Sequence, residues 1–209
     1  FLNGVDAPDQ LASTFGEGSV LGGLSRIFSE IESPGVIRHL NPGAYIECGE
    51  LNGERSSRVE ALADVFRGAG IETEVSDNIR CALWQKLLLV GSWAGLGALS
   101  QSSLGVVCDQ PELRSLVDQA MDEGIAVGGA LGYPLPDNLK QQMWDFYHGV
   151  PHDTTASMMR DILAGRPSEL DAWNGAIVRF GNQVGVPTPV HQFTYDVLLP
   201  MERRARGQP

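Results

Sequence analysis

Hydrophobic residues are densest between positions 78 and 99, where the chain reads NIRCALWQKLLLVGSWAGLGAL. Lys86 is the only charged residue after Arg80 in this stretch, and it stands between Trp84 and four consecutive aliphatic residues. A helix of this composition is apolar on nearly every face, which predicts burial in a protein core. Arg80, Gln85 and Lys86 argue against a membrane-spanning role. A lysine in such a helix is expected to have a polar partner or a functional role.

Upstream of this stretch, the pattern alternates between strand and helix. We expect helices at 6–15 and 55–67, and β-strands at 19–31, 35–40, 44–51 and 71–75. The turn sequences Ser33-Pro34-Gly35 and Asn41-Pro42-Gly43 separate the strands. Residues 1–76 are therefore predicted to be α/β in character.

Downstream, the pattern predicts helices alone, at 111–131, 137–148, 154–163, 168–184 and 190–199. Asp109 is expected to cap the first of these helices, and Ser168 the fourth, with Asp171 completing a capping box. Gly128 and Gly129 lie inside a predicted helix and indicate close helix packing. The predicted organisation is an α/β part followed by an all-α domain at 77–209, with the boundary near Ser76.

The charge balance excludes several partner classes. The chain holds 15 Lys and Arg against 26 Asp and Glu, a formal net charge of −11, which opposes binding to a phosphate backbone and provides no polybasic membrane patch. We expect no nucleic-acid and no membrane partner. The three cysteines form no CxxC pair and the four histidines no HExxH motif, so we predict no metal site, reduced thiols and a cytoplasmic protein.

The first residues, Phe1-Leu2-Asn3-Gly4, include no methionine and resemble the end of a β-strand. We expect that sequence upstream of Phe1 is missing. Asn3-Gly4 is firstly a turn dipeptide. If Phe1 and Leu2 end a parallel strand, however, Asn3 lies at its carboxyl end, where open α/β sheets bind their ligands.

A glycine-rich loop at 16–22 invites a nucleotide-binding interpretation, which we reject. Its spacing misses GxGxxG by one residue, and it precedes a predicted strand. The dinucleotide fingerprint must precede a helix, whose N-terminus holds the pyrophosphate.

Three residues downstream could carry chemistry. A semi-buried Lys86 titrates more easily than an exposed lysine and can donate a proton to a developing alkoxide; alternatively, it extends from an apolar helix to the surface. Glu169 follows the Ser168 cap, where a carboxylate stabilises the helix dipole. Ser157 opens a predicted helix and is either an ordinary first-turn residue or an anion ligand.

Four separated motifs, taken together, resemble the 2-dehydropantoate 2-reductase family, also called ketopantoate reductases. They are Asn3-Gly4, LWQKL at 83–87, ASMMRDI at 156–162 and GRPSELDAWNG at 165–175, and GVPTPV at 185–190 also fits. The resemblance runs over nearly the whole chain, and the block from Ser157 to Asn174 is its most specific part.

This resemblance implies a fold and an activity. Residues 1–76 would be the C-terminal part of a Rossmann-type NADP-binding domain without its glycine fingerprint. Residues 77–209 would be a helical domain like that of 6-phosphogluconate dehydrogenase, which binds substrate and forms a homodimer. The implied reaction is NADPH-dependent reduction of 2-dehydropantoate, a small 2-oxoacid, to pantoate on the route to pantothenate and coenzyme A.

The family's roles carry over by position. Lys86 matches the lysine that donates a proton to the ketone oxygen, and Asn3 matches an asparagine near the nicotinamide and the substrate. Ser157 matches a serine that holds the substrate carboxylate. Glu169 matches a glutamate at the cofactor ribose and the reacting centre.

Two departures from the family pattern bear on the substrate. Val90 and Ala94 stand where well-studied members carry asparagines, on the same side of the helix as Lys86. A pocket that is apolar at both positions would recognise its substrate differently. One alternative is therefore the reduction of another branched or hydrophobic 2-oxoacid. A second alternative is a non-catalytic helical module, because the fragment itself is expected to be inactive.

Overall fold

The structure is a computed structural model that describes residues 4–27, 29–39 and 43–208. It divides into two compact units, Phe1–Leu83 and Trp84–Pro209. The division falls inside a long helix, and the domain boundary near Ser76 stays a prediction.

The first unit is a small α/β structure. In chain order its elements are α1 (Ala7–Phe15), β1 (Leu21–Arg26), β2 (Ser29–Ser33), β3 (Val36–His39), β4 (Tyr45–Glu50), α2 (Ser57–Gly68) and β5 (Glu72–Val75). Strands β1, β4 and β5 form one sheet in the order β1-β4-β5, with β1 antiparallel and β5 parallel to β4. Strands β2 and β3 form an antiparallel hairpin of exposed residues.

A strand running over 19–31 was predicted, and that prediction is wrong. A 3₁₀ turn at Glu17–Ser19 precedes β1, β1 ends at Arg26, and the chain pairs with a different strand from Ser29 onward. The glycine-rich loop does precede a strand, as expected.

Helix α2 packs on the three-stranded sheet through Val59 and Ala63, which contact Cys48 and Val75 in one buried cluster. Ser56 caps α2, because its hydroxyl accepts a hydrogen bond from Val59 N–H at 3.3 Å. This cluster is the core of the sheet in the first unit.

The second unit is helical throughout its described residues. Its elements are α3 (Ile79–Ser100, which begins in the first unit), α4 (Leu104–Asp109), α5 (Pro111–Ala130), α6 (Leu139–Gly149), α7 (Ser157–Leu163), a π-turn (Asp171–Gly175), α8 (Ala176–Val184) and α9 (Pro189–Ala205). No helix in the described part of the chain combines the length and hydropathy that a membrane crossing requires.

Helix α3 is a core helix, as its sequence predicts. Trp84 and Leu88 are fully buried, and the Trp84 indole N–H donates to the Gly124 carbonyl on α5 at 3.1 Å. A Cβ added at Gly128 would lie 2.5 Å from Trp84 Nε1. Gly128 therefore permits the close packing predicted for this pair of glycines, whereas a Cβ at Gly129 would meet no atom within 4 Å.

Three details in the helical unit differ from expectation. Helix α4 was not predicted; it ends at Asp109, so Gln110 rather than Asp109 is the N-cap residue of α5. The helix predicted from Ser168 begins instead as the π-turn. Helix α9 continues to Ala205 with Pro200 inside it.

Candidate functional site

The structure describes three of the four predicted site residues, and all three lie in the helical unit. Lys86 is on α3, Ser157 is the first residue of α7, and Glu169 precedes the π-turn. Asn3 lies outside the described residues. The assignment of these residues to a site stays a prediction.

Ser157 and Glu169 are in contact although 12 positions separate them. The Ser157 hydroxyl donates to Glu169 Oε2 at 3.3 Å. Ser157 is exposed and Glu169 is half-buried. The chain reverses between them at Gly165, whose φ of +66° belongs to the left-handed region that favours glycine. A hydroxyl donor and a carboxylate acceptor can thus contact the same small molecule.

The backbone before Glu169 is fixed by the buried Glu202 on α9. Ser168 donates its N–H to both carboxylate oxygens of Glu202 at 3.0 Å and its hydroxyl to Oε2 at 2.5 Å. Arg206 donates to Glu202 Oε1 at 2.6 Å and to the Ser168 carbonyl at 2.9 Å. These bonds hold the peptide that leads into Glu169.

The capping box predicted between Ser168 and Asp171 is therefore wrong. The Ser168 N–H that Asp171 should accept goes to Glu202, which lies 34 positions away. Asp171 instead accepts from Arg179 and from the Tyr195 hydroxyl, both at 2.9 Å. Both acceptors are carboxylates, and the bond to Glu202 is the stronger one because it lies in the low dielectric of the interior.

A π-turn follows Glu169 directly. Gly175 N–H donates to the Leu170 carbonyl five residues earlier, at 3.1 Å. Single π-turns are uncommon and often occur at functional sites. This one contains Asn174, whose residue surface is only 2% exposed.

Asn174 connects the π-turn with two helices. Its amide nitrogen Nδ2 lies 3.0 Å from His191 Nδ1 on α9 and 3.4 Å from the Gly91 carbonyl on α3. His191 Nε2 lies 3.0 Å from the Ala120 carbonyl on α5. A carbonyl oxygen only accepts, so Nε2 carries the proton and Nδ1 accepts from Asn174. Burial lowers the pKa of His191 to about 4, which keeps the ring neutral.

Glu123 on α5 completes this buried polar cluster. Its carboxylate accepts from the backbone N–H groups of Val190 and His191, at 2.7 and 3.1 Å, and so caps the start of α9. Burial raises the pKa of Glu123, and these two hydrogen bonds oppose that shift.

The sequence alone does not mark Asn174, His191, Glu123 or Glu202 as functional residues. Asn174 lies within the motif at 165–175, which was the available signal for it. The other three act through partners far away in sequence, and no local pattern marks them.

The side of α3 that carries Lys86 is otherwise apolar. Lys86 is half-buried, Val90 one turn later is half-buried, and Ala94 is fully buried. Helical spacing places the three on one side of α3. A substrate group that reaches Lys86 along this side would meet hydrocarbon rather than amides.

A cavity of about 230 Å³ lies in the first unit, between α1, β1 and α2. Its lining is mainly apolar and includes Pro8, Leu11, Leu21 and Leu62. None of the three described site residues lines it. Nor do the described residues form a cluster of three or more His, Cys, Asp or Glu side chains able to hold a metal ion.

Comparison with known proteins agrees with the motifs. A 2-dehydropantoate 2-reductase of Mesorhizobium japonicum is 34% identical over 203 residues, which cover 97% of this chain and 60% of that protein. The chain spans about six tenths of the length of the curated relatives it matches.

Solved structures show the same fold. The 2-dehydropantoate 2-reductase of Methylococcus capsulatus matches with a TM-score of 0.87 and 30% identity, covering 97% of this chain and 64% of that one. A D-mandelate dehydrogenase, solved with NADH and anilino(oxo)acetate, matches with a TM-score of 0.87 and 21% identity, covering 99% of this chain and 67% of that one. At this identity the match shows a shared fold and no more.

The predicted fold class, a Rossmann-type part followed by a helical domain, is confirmed by these structures. The family model "Ketopantoate reductase PanE/ApbA C terminal" matches residues 78–202, which is more than half of the chain. The chain therefore belongs to the ketopantoate reductase family.

Proposed function

We propose that this chain carries the substrate-binding and proton-donating part of an NADPH-dependent reductase that converts 2-dehydropantoate to pantoate. The observation that carries the proposal is the contact between Ser157 and Glu169 at 3.3 Å. It brings together two residues that the family resemblance assigns to the substrate and the cofactor.

A 2-oxoacid presents two groups for recognition, a carboxylate and a ketone. The Ser157 hydroxyl is exposed and can turn from Glu169 to donate to the substrate carboxylate. Lys86 donates a proton to the ketone oxygen as negative charge develops there. Its half-buried position on an apolar helix weakens the competing hydration of the ammonium group.

The described residues fit a nicotinamide cofactor at one point. The half-buried carboxylate of Glu169 is an acceptor for ribose hydroxyls. Asn3 is proposed as a second contact, on the resemblance alone. A bound nicotinamide cofactor supplies the hydride to the substrate carbon. Beside these cofactor contacts, Ser157 holds the substrate and Lys86 supplies the proton.

A second candidate substrate is another hydrophobic 2-oxoacid. Val90 and Ala94 support it, because neither can hydrogen-bond to a substrate hydroxyl on the side of α3 that carries Lys86. The fold also occurs in a D-mandelate dehydrogenase. We include phenylglyoxylate, the 2-oxoacid of mandelate, as the test for this alternative.

The predicted homodimer is part of the proposal. A relative in Staphylococcus aureus is a dimeric ketopantoate reductase. Light scattering during size-exclusion chromatography gives the molar mass that decides between a dimer and a monomer.

The sequence contains two lysines, which provides a matched control for the proton donor. Lys140 on α6 binds Asp122 at 2.9 Å and lies outside the proposed site. In the full-length protein we expect Lys86→Ala to lower kcat/KM by about 10²- to 10⁴-fold, because the oxyanion loses its proton source. Lys140→Ala should leave kcat/KM nearly unchanged.

The assay follows the oxidation of NADPH by absorbance, with 2-dehydropantoate and with phenylglyoxylate as substrates. NADH run in parallel tests the cofactor. Activity with phenylglyoxylate alone would replace 2-dehydropantoate by the second candidate. Equal rates for Lys86→Ala and the parent would remove Lys86 from the mechanism, and no turnover of any 2-oxoacid would overturn the proposed function.

A further inference from the structure

The buried cluster around Asn174 is not used by the function proposed above, yet it joins the two segments that carry the proposed site. Asn174 follows Glu169 by five positions, and Gly91 follows Lys86 by five. The hydrogen bond from Asn174 Nδ2 to the Gly91 carbonyl therefore spans from the π-turn to the helix of Lys86. Gly91 is about 7 Å from Lys86 along the axis of α3.

The orientation of the Asn174 amide is set by His191. Nε2 of His191 must donate to the Ala120 carbonyl, so Nδ1 is left as an acceptor. That acceptor lies 3.0 Å from Asn174 Nδ2 and selects the amide rotamer whose Nδ2 also reaches Gly91. The reversed amide would place an oxygen against two acceptors.

The contact with α3 is also close. A Cβ at Gly95 would collide with Thr194 Cγ2 and lie 3.1 Å from Asn174 Oδ1. A larger residue at position 95 would have to displace the side chains of Thr194 and Asn174 or move the backbone of α3. The packing therefore favours glycine at this position.

The cluster contains buried polar atoms that do not add to its stability. Asn174 Oδ1, Ser92 Oγ and Thr194 Oγ1 are buried and have no hydrogen-bond partner among the described residues. Buried polar atoms without partners lower stability, and apolar side chains of similar shape avoid that loss. Stability alone does not account for an amide at position 174.

We propose that Asn174, oriented by His191, is a positioning residue that sets the separation between Lys86, the proposed proton donor, and Glu169, the proposed cofactor contact. This inference rests on the proposed function. Asn174 touches neither substrate nor cofactor in this assignment, and it acts through the backbone of α3 and through the π-turn.

Two substitutions of His191 separate positioning from stability. In asparagine the side-chain oxygen is bonded to Cγ, as Nδ1 is in histidine, so His191→Asn keeps an acceptor for Asn174 and loses the bond to Ala120. Glutamine places its nitrogen as far from Cβ as Nε2 lies, so His191→Gln keeps the bond to Ala120 and releases Asn174. Each variant loses one ring hydrogen bond, and we expect similar losses of thermal stability.

Activity of the full-length protein should nevertheless differ between the two variants. We expect His191→Gln and Asn174→Ala to lower kcat by about 10- to 100-fold with little change in KM, because sub-ångström to ångström displacement of a proton donor is costly. His191→Asn should retain most of the parental kcat. If kcat of the two His191 variants falls in step with their thermal stability, the cluster is structural only and the inference is overturned.

A readout independent of turnover keeps this inference separate from the proposed function. In NMR spectra, the backbone amide signals of Lys86 and Glu169 should shift in His191→Gln and stay near their parental positions in His191→Asn. Unchanged amide signals in both variants would overturn the positioning role even in an active enzyme. Shifted signals in a protein that reduces no 2-oxoacid would support the linkage and reject the reaction.

Discussion

Each unit of this protein contains a glutamate with a nearly inaccessible surface, and the pKa values of these two glutamates are shifted in opposite directions. Glu50 in the first unit is 8% exposed and Glu123 in the helical unit is 9% exposed. Hydrogen bonds from Arg58 lower the pKa of Glu50 to about 2. Burial raises the pKa of Glu123, whose hydrogen bonds come from two backbone N–H groups. A cation in contact lowers the pKa of one carboxylate, and stronger desolvation without such a cation raises the pKa of the other.

The difference follows from what each carboxylate holds together. Glu50 ends β4, and Arg58 on α2 binds both of its oxygens, at 2.7 and 2.5 Å. Glu123 caps the first turn of α9, where partial positive charge comes from the helix end. At Glu123 and His191 the helical unit thus relies on groups that are neutral or have no cation in contact. Its stability should respond to pH differently from that of the first unit.

The largest expected effect concerns His191. Its pKa is about 4 in the folded protein, against an ordinary value of 6.5 that applies to the unfolded chain. The unfolded chain therefore binds a proton first, and stability is lost as pH falls from 6.5 to 4, by roughly 3 kcal/mol in total. Urea unfolding at pH 7 and pH 4 measures this loss, which should be absent from His191→Gln.

His148 serves as the control, because it is exposed on α6 of the same unit. The pH dependence of His148→Gln should match that of the parent. If His191→Gln loses as much stability between pH 7 and pH 4 as the parent does, the neutral buried imidazole is not the source of the acid sensitivity.

The next effect tests whether the cation alone separates the two carboxylates. Arg58→Met keeps much of the apolar stem and removes the charge, so the pKa of Glu50 should rise from about 2 to above its ordinary value of 4.5. The carboxyl ¹³C signal of Glu50, titrated by NMR, measures this change.

Arg67→Met is the matched control for that substitution. Arg67 lies on the same helix and pairs with Asp64 at 3.0 Å rather than with Glu50. The Arg67→Met substitution should therefore leave the pKa of Glu50 near 2. A Glu50 pKa that stays low in Arg58→Met would mean that other groups, such as the Ser56 hydroxyl, hold the carboxylate ionised.

The last test compares the direction in which each carboxylate makes stability depend on pH. The folded pKa of Glu50 is depressed, so its contribution to stability is present above pH 4.5 and is lost as pH falls towards 2. The folded pKa of Glu123 is raised, so its contribution is present below pH 4.5 and is lost as pH rises through the folded pKa.

Replacing each carboxylate by glutamine exposes these opposite slopes. The cost of Glu50→Gln should grow as pH rises from 2 to 4.5, whereas the cost of Glu123→Gln should shrink as pH rises above 4.5. Urea unfolding across this range measures both. Slopes of the same sign would show that the two carboxylates do not differ as described.

Most of the helical unit could be predicted from the sequence, because long helices have strong patterns. Helix α3 is apolar throughout, and α5 begins at Pro111 as expected. Helix α4 was missed because six residues contain too little periodicity. The break between β1 and β2 was missed because the strand-forming pattern continues through a point where the pairing partner changes.

Part of the candidate site could also be predicted, and the reason for the rest is physical. The motifs indicate Ser157 and Glu169, yet the contact between the two depends on the chain reversal at Gly165 and on the hydrogen bonds of Ser168 to Glu202. Asn174 and His191 are linked across 17 positions by a tautomer that α5 selects. Such links depend on tertiary packing, so no local rule of spacing reveals them.

The π-turn affects how this site can change in evolution. It holds one residue more than an α-helical turn, so the chain before it is out of phase by about 100° with the helix that follows. An insertion or deletion of one residue at Asp171–Gly175 would be absorbed between Ser168, which Glu202 holds, and α8, and would turn Glu169 in a new direction. The apolar face of α8 would keep its place in the core. The direction of Glu169 can therefore vary among descendants of this chain while the fold is preserved.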